Sequence, residues 1–169
     1  TRHNIGREVV ESWQLAVGFS DFRFEKKFSA FIVKGTFTKK KVILALPETF
    51  MNNSGKAIRS LTTKYKIQNT DLIVIHDDID LFLGKIKISK KRGSAGHKGV
   101  ESVIQELKTK NFTRIRVGIQ PETGKQKNVE KFVLEKFNKE ELEKLREVIK
   151  TTYLIIEAII KEGLEKTMQ

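Results

Sequence analysis

At 169 residues the chain fits one domain, large enough to bury a core without covalent staples. It has no cysteine, which excludes a disulfide framework and a thiolate metal site and fits a reducing cytoplasm. No apolar run reaches the length of a membrane span, no signal-peptide pattern opens the sequence, and a formal net charge of +12 makes nucleic acid the leading partner class.

Ile5, Val9, Trp13, Ala16 and Val17 recur at helical spacing, so the first element is an amphipathic helix beginning just after His3. Residues 28–37, FSAFIVKGTF, favour strand. A solvated turn at lysines 39–41 leads to a second strand, VILAL at 42–46, stopped by Pro47, and the two read as a hairpin. In MNNSGKAIRSLTTKYKI, Ile58, Leu61 and Tyr65 share one face of a helix that begins near Asn53 or Ser54, with Asn and Ser as capping residues.

DLIVIHDD at 71–78 is a continuous apolar run ending in carboxylates, the pattern of a strand buried on both faces at the centre of a sheet. GKIKISKK from Gly84 alternates as another strand, and GSAGHKG then breaks the chain before a helix carrying Val100, Val103, Ile104 and Leu107. FTRIRVGIQ at 112–120 alternates apolar and basic residues, which places Arg114 and Arg116 on one strand face. NVEKFVLEKF reads as a short helix. The last helix has a capping box of Asn138 and Glu141, a stripe of Leu142, Leu145, Ile149, Ile156 and Ile160, and Gly163 as terminator.

This order predicts one α/β domain over residues 1–169, three layers deep, with a twisted mixed β-sheet flanked by helices. Open α/β sheets bind ligands beyond the carboxyl ends of their strands. By that rule PETFMNNSG and HDDIDL mark one rim, and GSAGHKG joins them.

The chemistry-bearing residues on that rim admit more than one reading. An imidazole is the usual base near neutral pH, and a carboxylate bonded to its other nitrogen fixes its tautomer, so His3, Asp77 and His97 can activate water. No serine or cysteine sits in a nucleophile motif such as GxSxG, so direct attack by water is simpler than a covalent intermediate. Asn52 is either a helix cap or an amide that holds the water or an oxyanion. Asp77, Asp78 and Asp80 are turn residues or, together, oxygen ligands of a divalent cation, as in a metal-dependent phosphohydrolase. His76 continues an apolar strand and reads as a satisfied core histidine. Phe50 is a core plug or a stacking platform for an exposed base.

TRHNIG, LPETFMNNSGKAI, IHDDIDLFLGKIKI, RGSAGHKGVESVI, FTRIRVGIQ and VEKFVLEKF resemble, in that order, the successive motifs of bacterial peptidyl-tRNA hydrolases. The resemblance covers nearly the whole chain and agrees with the α/β order of elements. It implies a cytoplasmic, monomeric enzyme that hydrolyses the ester between a peptide and the 3′ end of tRNA, recycling tRNA from aborted translation without metal or cofactor. Residue by residue, it implies that His3 is the catalytic base, that Asp77 keeps it poised, and that Asn52 places water and substrate. Phe50, His97 and Arg116 fall on positions at the tRNA and peptide end, Arg116 on one associated with an acceptor-stem phosphate.

The chain departs from the family pattern in three places. Lys98 stands where the family usually has an asparagine that contacts tRNA, and Ser89 stands at a basic position for which Lys87, Lys90 or Lys91 can substitute. The family's first strand and its Gly/Asn/Pro loop have no counterpart before TRHN, which leads to the expectation of an N-terminally incomplete version of a longer protein. A noncatalytic RNA-binding protein on the same scaffold is the alternative to the enzyme.

Overall fold

A computed structural model describes residues 1–124 and 126–168. A 3-10 turn over Arg2–Asn4 enters α1 (Ile5–Ala16), which buries Ile5, Val9 and Trp13 as their spacing requires. Then come β1 (Arg23–Glu25), β2 (Ala30–Phe37) and β3 (Lys40–Pro47). The last two form the expected hairpin, closed by Thr38 and Lys39 at φ 47° and 67°. Two consecutive positive φ angles give a turn whose twist matches that of the flanking strands. β1 pairs with β2 over only three residues, too few to leave an alternation in the sequence.

α2 (Ser54–Tyr65) starts where expected, but Asn53 makes no side-chain cap. A 3-10 turn over Met51–Asn53 carries the chain into the helix instead, and Ser54 Oγ donates to the Met51 carbonyl at 2.9 Å. The remaining elements are β4 (Ile73–Phe82), β5 (Ile86–Lys90), α3 (Lys98–Leu107), β6 (Thr113–Gln120), α4 (Val129–Leu134), α5 (Lys139–Glu162) and α6 (Leu164–Thr167). The capping box of Asn138 and Glu141 is present at the start of α5.

The expected single mixed sheet is not what forms. The described strands make two three-stranded sheets, an antiparallel one ordered β1-β2-β3 and a mixed one ordered β4-β6-β5. No ladder joins β3 to β4; α1 packs on both, and side chains replace backbone pairing between the sheets. Val33 and Leu44 from the first sheet meet Ile115 from the second in one cluster with Val9, Trp13 and Ile156. On the other face of the antiparallel sheet, Phe28, Ala30 and Ile32 pack with Leu61 of α2. The result is a mixed α/β fold with helices against both faces of that sheet.

β4, expected at the centre, is an edge strand of the mixed sheet, and β6 takes the centre. The apolar run of β4 is accounted for by α1 and α5: Ile75 and Ile79 pack into the cluster of Ile5, Val117, Ile119, Leu145 and Val148. β4 also does not stop at its carboxylates but runs on to Phe82, with a register shift after Asp78. Gly118 on β6 permits this, since a Cβ there would overlap the Phe82 carbonyl oxygen.

Cross-strand register assigns the two faces of the mixed sheet. Asp77 pairs with Val117 and shares the apolar face with Ile75 and Ile115, whereas His76, Asp78, Arg114, Arg116, Lys87 and Ser89 share the other. The expected common face for Arg114 and Arg116 is therefore present.

Candidate active site

All three histidines of the chain gather around Asp77. His3 comes from the 3-10 turn ahead of α1, and its approach to β4 depends on Gly6, where a Cβ would overlap the Ile75 carbonyl oxygen. His3 Nδ1 donates to Asp77 Oδ1 at 2.7 Å. His97, the N-cap of α3, meets the same oxygen through Nε2 at 2.9 Å. The His3 and His97 rings are tilted against each other with centroids 4.9 Å apart.

The Asp77 carboxylate is 3% exposed, and its burial favours the protonated form. Its hydrogen bonds to His3 and His97 outweigh that effect and hold the group well below the usual carboxylate range. Asp77 therefore stays ionised, poised to orient an imidazole and to balance its positive charge. His76 is buried with its ring edge-on to His97 at 4.7 Å, and its Nδ1 donates to the Asp77 carbonyl at 2.6 Å. Burial lowers its pKa to about 3. Its Nε2 is buried without a partner, so the core-histidine reading is only half satisfied.

The acidic triplet does not converge on a cation. Asp77 and Asp78 are adjacent on a strand and point to opposite faces, and Asp78 is committed to Arg116 Nε at 2.5 Å and to the Asp80 backbone N–H at 2.9 Å. Among the described residues, the group with metal-ligand composition is His3, Asp77 and His97, whose ligand atoms lie within 4.8 Å of one another. His3 Nδ1 and His97 Nε2 are bonded to the carboxylate, and His97 Nδ1 accepts from the Val100 N–H at 3.2 Å.

The other expected residues lie outside the hydrogen bonds of this cluster. Phe50 is 84% exposed, which rules out the core plug. Asn52 lies in the 3-10 turn that packs against α3, is exposed, and has no side-chain hydrogen bond among the described residues. Lys98 opens α3 and pairs with Glu130 at 2.7 Å on the surface. Arg116 is mostly buried against Asp78 on the polar face of the sheet.

Sequence reasoning missed Arg2. Its buried guanidinium reaches Glu141 through two bonds of 3.0 and 2.8 Å and lies over the rings of Phe132 and Phe137 at 4.3 and 4.7 Å. No spacing rule links residues so far apart in the chain. The one available signal was a basic residue directly preceding the candidate base.

The family described as peptidyl-tRNA hydrolase matches residues 1–169. The chain belongs to the peptidyl-tRNA hydrolase family. A peptidyl-tRNA hydrolase of Citrifermentans bemidjiense is 41% identical over 169 residues, covering 99% of this chain and 87% of that protein. One of Clostridium botulinum is 40% identical, covering 99% and 85%. Among solved structures, a peptidyl-tRNA hydrolase in complex with N-propanol superposes with TM-score 0.92 at 27% identity, covering 99% of this chain and 84% of that one. The Acinetobacter baumannii peptidyl-tRNA hydrolase superposes with TM-score 0.90 at 26% identity, with the same coverage. The protein is an enzyme, a peptidyl-tRNA hydrolase. No described helix is long and apolar enough to cross a membrane.

Proposed function

We propose that His3 is the general base of ester hydrolysis and that Asp77 and Asn52 complete the catalytic set, in a monomer working in the cytoplasm. The observation that carries this reading is the 2.7 Å contact between His3 Nδ1 and the buried Asp77 carboxylate. It leaves Nε2 as the lone-pair nitrogen of a side chain that is 17% exposed. Nε2 takes a proton from water as the water oxygen bonds to the ester carbonyl carbon. The tetrahedral intermediate then collapses, the bond to the tRNA 3′ oxygen breaks, and the imidazolium returns its proton to that oxygen. Free tRNA and a peptide carboxyl group result.

Asp77 fixes the tautomer and stabilises the imidazolium without itself taking the proton. The uncommitted amide of Asn52 holds the water or donates to the oxyanion. Phe50 stacks on the terminal base or the peptide, and Lys98 and Arg116 face tRNA phosphate, as the positive net charge favours. No step needs a metal or cofactor.

The test is release of a blocked amino acid from tRNA by the native chain and by His3→Ala. The alanine variant should bind tRNA normally and turn over about 10²- to 10⁴-fold more slowly, the usual worth of a positioned general base. Unchanged turnover would remove His3 from this role.

A further inference from the structure

We propose that His97 is a positioning residue, whose imidazole is locked in one tautomer by the first turn of α3 and holds the Asp77 carboxylate in place for His3. This rests on the reading of His3 as the base, and it gives His97 a task different from substrate contact.

The argument begins at the helix end. The first N–H groups of a helix lack intrahelical partners and are commonly met by the side chain of the N-cap residue. Here that residue is a histidine: the Val100 N–H donates to His97 Nδ1 at 3.2 Å. An Nδ1 that accepts carries no proton, so the neutral ring bears its hydrogen on Nε2. That nitrogen lies 2.9 Å from Asp77 Oδ1 and can only donate to it.

The ring has little freedom to leave this position. His76 and His3 lie against it with centroids 4.7 and 4.9 Å away. Gly99 leaves open the space taken by Met51 Sδ and the His97 ring edge: a Cβ at Gly99 would lie 2.5 Å from the sulfur and 3.0 Å from His97 Cε1. The tight turn through Ala95 and Gly96, at φ 52° and 82°, delivers His97 to this spot.

One carboxylate oxygen thus takes two donors, one from the base and one from a ring fixed by backbone. The second donor sets the rotation of the carboxylate and keeps its charge where the His3 Nδ1–H meets it. A ring that is 10% exposed and engaged at both nitrogens has no hydrogen bond left for tRNA.

Two substitutions separate the halves of this device. In His97→Asn the side-chain oxygen can still accept the Val100 N–H, but the side chain is too short to reach Asp77. In His97→Gln the terminal amide approximates Nε2–H and the cap is lost. For His97→Asn we expect a cooperatively folded protein with a somewhat lower Tm, from the donor lost to the buried Asp77 carboxylate, unchanged KM, and kcat lower by about ten- to a hundredfold, the scale of a displaced catalytic group. For His97→Gln we expect recovery of at least half of that loss on a logarithmic scale, with Tm lower by about 2 to 4 °C. Nitrogen chemical shifts of the native enzyme should show His97 protonated at Nε2 and unprotonated at Nδ1.

Native kcat in His97→Asn, a raised KM with intact kcat, or an Nδ1–H tautomer would each overturn the proposal. His3→Ala, run in parallel, keeps the two readings apart. Full activity there removes the base assignment, whereas an inactive His3→Ala beside a fully active His97→Asn removes only the role of His97.

Discussion

His76 couples the stability of the site to pH. An unfolded histidine binds a proton near pH 6.5, whereas His76 in the fold, buried edge-on to His97, does so only near pH 3. Between those values the unfolded chain holds the extra proton, so acidification favours unfolding. The stabilisation is fully present above pH 6.5 and is lost as the pH falls toward 3, by roughly 2 kcal/mol at pH 5. Asp77 works in the same direction at lower pH, because its depressed pKa stabilises the fold above about pH 4 and that contribution is lost as the carboxyl protonates. Thermal unfolding of His76→Gln at pH 7 and pH 5 should therefore show a smaller drop in Tm than the native chain; equal drops would assign the acid sensitivity elsewhere. That His3, Asp77 and His97 are candidates for one site was legible in the sequence chiefly through the family motifs, since by chemistry alone a histidine so near the start of the chain carried little weight. Their mutual geometry was not, because it depends on two donors meeting one oxygen across separations of 74 and 20 residues.

At the scale of elements, the start of α5 anchors Arg2, the residue next to His3. Glu141 accepts from the Asn138 N–H at 2.8 Å as half of the capping box and also binds the Arg2 guanidinium, while the Arg2 N–H donates to the Glu135 carbonyl at 3.0 Å. Burial pushes the Glu141 carboxyl up, and Arg2 with the Asn138 amide brings it below the ordinary value. A helix cap thus doubles as the anchor for the residue next to His3. Glu141→Ala should cost roughly 3 kcal/mol, because it leaves the Arg2 charge buried without its partner. It should also lower kcat through a loosened His3, and denaturant titration together with turnover measures both. Loss of stability with native turnover would show that Arg2 staples the fold without positioning the base. The capping box could be read from Asn138 and Glu141, but its second use could not, since the helical pattern says nothing about what a cap carboxylate meets beyond its own helix.

At the scale of the whole molecule, the order of the longer elements and the alternation of β6 could be read from the sequence, whereas the short β1 and α6 and the split into two sheets could not. Periodicity reports how much of a strand is buried but not whether a helix or another strand does the burying, and β4 is covered by α1 and α5. The polar face of the mixed sheet follows from register, and it lets the net charge of +12 be tested at one point. Arg116 is bonded to Asp78, so its removal has two separable consequences. If Arg116 meets a tRNA phosphate, Arg116→Ala should make the dependence of log binding constant on log salt shallower by about 0.7 to 0.9, one phosphate's worth of released counterions. It also strands the buried Asp78 carboxylate and should lower stability. Adding Asp78→Asn removes that stranded charge, so the double variant should regain stability while keeping the shallower slope. A slope that returns to the native value with the restored fold would show that Arg116 serves only to neutralise Asp78, and the phosphate contact would then fall to other cations such as Lys87 or Lys98.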